Sequence, residues 1–110
     1  MTYEQVAQMV NSFGVPNCYY QFTNDTEVVP PFVAYYYNQS ADLIADNTNY
    51  AKINSLIIEL YTDNKDFDLE QTIETTLNDN GLVYSRVENY LDSERMYMVV
   101  FTSSVLITEE

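Results

Sequence analysis

The chain reads as an α+β domain: a mostly antiparallel sheet of four to five strands, with two helices packed on one face, in the order α-β-β-β-α-β-β. Three observations point there. Val6, Met9, Val10 and Phe13 recur at helical spacing behind a capping box at Thr2 and Gln5. Two runs rich in aromatic and β-branched residues, Phe32 to Tyr37 and Ile53 to Thr62, read as strands separated by a polar connection, Asn38 to Asn49. A second helical pattern, Leu69, Ile73 and Leu77, leads into two more strand-like runs.

The first helix is expected over Tyr3 to Phe13. Gly14 can take a left-handed cap and Pro16 blocks continuation. Asn17 to Thr23 is a first strand, followed by a polar loop that ends at Pro30-Pro31. Neither proline can donate to a ladder, so the second strand starts at Phe32. Its period of two puts Phe32, Ala34 and Tyr36 on one face and Val33, Tyr35 and Tyr37 on the other. The connection Asn38 to Asn49 sets Leu43, Ile44 and Ala45 beside Asp42 and Asp46. It reads as a helical turn or a flap with one apolar patch.

The third strand is expected from about Lys52 to Thr62. Leu56, Ile58 and Leu60 form its apolar face, and Ile53, Ser55, Ile57, Glu59 and Tyr61 a mixed one, as in a sheet covered on one side. Asp66 suits the N-cap of the second helix, with Asp68 and Glu70 in the first turn where the dipole favours anions. Asn80-Gly81 ends that helix. Val83 to Tyr90 and Met96 to Ile107 then form a hairpin around the turn Leu91 to Glu94.

The 110 residues make one domain, 1–110, and an apolar fraction of 46% makes it globular rather than disordered. The 17 acids against 4 bases give a formal charge of −13. Lys52, Lys65, Arg86 and Arg95 are too few and too scattered for a basic footprint, which excludes nucleic-acid binding and docking to an anionic membrane. Cys18 is alone, so no internal disulfide is expected. With no basic-then-apolar leader after Met1, the expected compartment is cytosol, and the acceptor patterns at Asn24 and Asn38 carry no weight.

Candidate chemistry is sparse. The acids Asp63, Asp66, Asp68 and Glu70 alternate as calcium ligands can, but the glycine and terminal glutamate of an EF-hand loop are out of register, and helix capping explains the same residues. There is no histidine to act as a general base or to activate Cys18. Two glycines, Gly14 and Gly81, cannot build a phosphate loop. No cofactor, metal or enzymatic activity is expected. The tyrosines from Tyr19 to Tyr97 could stack bases, but the basic groove that base stacking needs is missing; subunit contact or amphipathic strand packing accounts for them.

The succession from Pro31-Phe32, through Ile58 to Asp63 with Lys65-Asp66, Asp68 to Glu70 and Asn80-Gly81, to Ser93-Glu94 before Met96-Tyr97 is specific in its order. It resembles the tail terminator, or tail completion, proteins of long-tailed phages (siphoviruses) and prophages of Gram-positive bacteria. The match covers nearly all of the chain beyond Val29. The resemblance implies a structural virion protein that is monomeric when free and assembles as a homo-oligomeric, hexameric ring on the head-proximal end of the tail tube. There it would end tube polymerisation and offer the docking surface for the head-completion or connector protein. It would work in the host cytoplasm during assembly and in the tail neck of the finished virion, away from membranes. DNA would pass through the ring without specific binding, and carboxylates in the lumen would suit that passage.

The expected contact segments are three: the long connection with Asp42, Leu43, Ile44 and Asp46; the loop Asn24 to Val29 with Asp25 and Glu27; and the hairpin turn with Asp92 and Glu94. The bland alternative is three solvated loops. Another head–tail joining protein is the nearest rival function. An acidic DNA mimic is a rival of another class, disfavoured because the acids gather at turns and helix starts.

Overall fold

The computed structural model describes residues 1–21, 29–38, 43–45 and 48–108; within 43–45 and 48–52 only the backbone is described. The elements are α1 (Tyr3–Asn11), β1 (Asn17–Tyr19), β2 (Phe32–Asn38), β3 (Leu43–Ala45), β4 (Thr48–Thr62), α2 (Phe67–Asp79), β5 (Tyr84–Leu91) and β6 (Met96–Ile107). Five strands form a mixed, mostly antiparallel sheet in the order β1-β2-β4-β6-β5, and β3 pairs with β4 off this path. The fold is therefore the expected α+β arrangement, with one short strand added inside the long connection.

Local chemistry sets the helix ends. The Thr2 hydroxyl accepts from the Gln5 N–H at 3.1 Å, and the Gln5 side chain accepts from the Thr2 N–H at 2.9 Å, which closes the capping box. The helix stops at Asn11, two residues before the expected Phe13, and Gly14 follows with φ of 81°. Asp66 caps α2 by accepting from the Leu69 N–H at 3.0 Å. Gly81 takes φ of 73° just past the helix.

Both helices cover one face of the sheet. Val6, Met9, Val10 and Phe13 of α1 and its trailing turn, with Ile73 and Leu77 of α2, pack on Val33, Leu56, Ile58, Leu60, Val99, Phe101, Val105 and Ile107. Leu56 and Leu60 are fully buried, as the expected face assignment requires. Among the described residues, no helix lies over the opposite face.

Three expectations need correction. β1 runs only from Asn17 to Tyr19, not to Thr23, because Tyr20 turns the chain with φ of 75°, outside the extended region. That short strand lies parallel to β2, with Cys18 opposite Ala34. The connection Asn38 to Asn49, read as a helical turn or a flap, holds a short strand in its described part: Leu43 pairs with Ala51 and Ala45 with Thr48, which excludes the helical turn there. Finally, β4 begins at Thr48, four residues before Lys52, because pairing with β3 extends it through a polar stretch that composition alone reads as loop.

Candidate functional site

The first feature is an arm. β4 pairs with β2 up to Ser55 and with β6 up to Lys52, and beyond that β3 is its strand partner among the described residues. At about 3.3 Å per residue, the stretch Thr48 to Lys52 carries the hairpin roughly 13 Å past the sheet. The long dimension of the molecule, 49 Å against 30 and 23 Å, follows from this 15-residue strand. A two-stranded hairpin without a covered face is marginal in water, so such an arm gains by lying on a neighbour. Leu43 and Ile44 sit on its β3 strand. Asp42 and Asp46 lie outside the described residues, as do Asp25 and Glu27.

Asp92 and Glu94 occupy the exposed turn between β5 and β6. Ser93 Oγ donates to the Glu94 carboxylate. This turn stands at the Thr62–Tyr97 end of the sheet, whereas the arm leaves from the Lys52–Ile107 end. Among the described residues, the structure therefore separates Leu43 and Ile44 from Asp92 and Glu94 rather than gathering them into one patch.

The second feature is the open sheet face. Phe32, Ala34 and Tyr36 of β2, Ile53, Ile57 and Tyr61 of β4, Met98, Val100 and Leu106 of β6, and Val87 of β5 share it through their register. Glu59 is the one charged residue on it among the described side chains. Its carboxylate accepts from the Tyr61 hydroxyl at 2.7 Å and the Tyr36 hydroxyl at 3.2 Å. Burial, reinforced by that carboxylate, pushes both phenols up from their ordinary range. Phe32 and Tyr61 stack with centroids 4.8 Å apart. A face this poor in charge, on a chain of −13, suits contact with another protein surface. Cys18 sits at its edge, half-buried; burial raises its thiol pKa and so disfavours the thiolate a nucleophile needs.

Two groupings escaped sequence reading. On the flank where α2 meets β5, Lys65 and Arg86 both donate to the buried Glu70, and both reach Glu88. The Glu70 side chain is only 3% exposed, so two cations close on it where water cannot. Burial disfavours the Lys65 ammonium, but its bonds to Glu70 and Glu88 outweigh that and hold its pKa up. Arg86 is held up chiefly by Glu70. Two bases that look scattered along the chain thus serve one internal lock. Asp63, Asp66 and Glu70 divide into a turn, a cap and this lock.

On the opposite flank, Tyr3, Tyr19, Tyr35 and Tyr37 line a groove of about 340 Å³. Tyr3 stands one turn before Val6 at the edge of the apolar stripe of α1, so helical spacing points to it, and the contact with Tyr37, 5.1 Å between centroids, shows what it meets. The Tyr37 hydroxyl is buried without a hydrogen-bond partner.

Compared with known proteins, the chain matches no protein-family model and no curated relative. Among the described residues, no group of three His, Cys, Asp or Glu side chains is placed to hold a metal ion. What the arrangement offers is contact surface: an arm, a sheet face poor in charge and a tyrosine groove.

Proposed function

We propose that the chain is a structural subunit of a phage tail neck, a tail terminator that caps the head-proximal end of the tail tube and presents the docking surface for the head connector. The observation that carries this reading is the β3–β4 arm, which runs past the sheet into space where a neighbouring subunit would lie. Together with the pattern from Pro31-Phe32 to Met96-Tyr97, it fits subunits that close a ring through heterologous contacts. The ring is hexameric on that resemblance. The open face, poor in charge, supplies area for a protein neighbour, and the net charge of −13 keeps passing DNA from sticking.

The test is negative-stain microscopy of particles from a phage or prophage deleted for this gene. Overlong tails without heads are expected. Tails of normal length beside unattached, unplugged heads would assign the chain to the head side of the neck instead.

A further inference from the structure

We propose that the tyrosine groove receives the guanidinium of Arg95 from a second copy of this chain, in a head-to-tail contact. The inference deepens the ring reading above, since it names one of the contacts by which copies would meet.

The groove is built from three elements: Tyr3 on α1, Tyr19 on β1, and Tyr35 and Tyr37 on β2. The rings meet edge to face. Tyr3 and Tyr37 stand at 76°, and Tyr19 and Tyr35 at 82° with centroids 5.4 Å apart. Tyr19 is also 5.9 Å from Tyr37. Tyr3 and Tyr19 are about half exposed, at 44% and 52%, so the groove opens to solvent. The Tyr37 hydroxyl is buried and has no hydrogen-bond partner among the described residues, whereas the Tyr3 hydroxyl accepts from Asn54 Nδ2 at 3.4 Å. Burial pushes the Tyr37 phenol far above its ordinary value, so it stays neutral.

Aromatic faces that open to solvent suit a flat cation. A guanidinium stacks on tyrosine, and Tyr3 and Tyr19 are the half-exposed rings it would meet. The acidic chain draws such a group towards it and repels an anion.

Among the described side chains, Arg95 is the suitable group. Lys65 and Arg86 are committed to Glu70 and Glu88. Arg95, in the exposed turn between β5 and β6, has no ion pair or hydrogen bond among the described residues. It cannot reach its own groove. The groove lies at the β1 edge of the sheet and Arg95 at the β5 edge, with β2, β4 and β6 between them. At about 4.8 Å per strand spacing, the edges are roughly 19 Å apart. A cation at one edge and its receptacle at the other make a heterologous contact, the kind that propagates from copy to copy until it closes. Copies that each carry −13 need a local attraction of this sort to approach.

The experiment is site-directed disulfide cross-linking of the full chain. Tyr20→Cys and Glu94→Cys are introduced together in a Cys18→Ser background, which leaves all four groove rings and Arg95 in place. Circular dichroism verifies that each variant is folded. Mild oxidation is expected to give a ladder of covalent oligomers. Adding Arg95→Ala, or separately Tyr19→Ala, should slow its formation at least tenfold, with Arg95→Lys between the two. No ladder, or a ladder indifferent to Arg95→Ala, would overturn the contact. Failure here beside overlong tails in the deletion phage would reject the groove alone. A ladder beside tails of normal length would keep the contact and reject the ring on the tail.

Discussion

The two flanks of the sheet treat their polar groups in opposite ways. On the α2–β5 flank, the charged groups find their partners at home: Glu70 takes Lys65 and Arg86, Glu88 shares both, and the Tyr84 hydroxyl donates to Glu74 at 2.7 Å. Lys65 also lies 5.2 Å from the Phe67 ring centre and 5.8 Å from that of Tyr97. On the α1–β1–β2 flank, rings meet rings and a buried phenol is left unmet. An unpaired buried polar group costs free energy, and folding alone gives no reason to keep one. The closed flank therefore reads as stability, and the open flank as surface held for a partner.

This contrast can be broken most forcefully on the closed side. Glu70→Ala leaves two cations facing an apolar gap, and should lower the unfolding free energy by about 3 kcal/mol in urea titration. A change below about 1 kcal/mol would mean that the cluster is a surface pairing with little effect. On the open side the expectation reverses. Tyr37→Phe removes an unmet hydroxyl and should leave stability unchanged or raise it by up to about 1 kcal/mol. A loss of that size would show that the hydroxyl already has a partner in the free chain.

The smallest effect is in pH. The Glu88 carboxyl is held below its ordinary 4.5, first by the bond from Lys65 and further by Arg86. A carboxyl depressed in the folded state adds stability above its unfolded pKa, and that stability is lost as pH falls through the folded value. Thermal melting should therefore drop as pH is lowered below about 4.5, and Glu88→Gln should flatten part of that slope. A slope unchanged by Glu88→Gln would place the acid sensitivity elsewhere.

Much of the scaffold was legible because its causes are local. The Thr2–Gln5 box, the Asp66 cap, the Gly81 terminus and the bounds of β6 each depend on residues a few positions apart. β3 was hidden because its pairing, not its composition, makes it a strand. The parallel placement of β1 was hidden for the same reason. The groupings at the candidate site were the least legible. Glu70 and Arg86 are 16 positions apart, and Tyr3 and Tyr37 meet only once α1 lies on the sheet. Helical spacing marks Tyr3 as a residue on the packing side of α1, but not which ring of the sheet it meets.

The central claim is that the chain ends tube growth. It is tested most directly by letting purified tail-tube protein polymerise on preformed tail initiators, with and without this protein, and measuring tube lengths by electron microscopy. The account predicts that added protein halts elongation at amounts far below that of tube subunits, with density confined to one tube end. Unchanged tube lengths, or protein distributed along the tube wall, would contradict it.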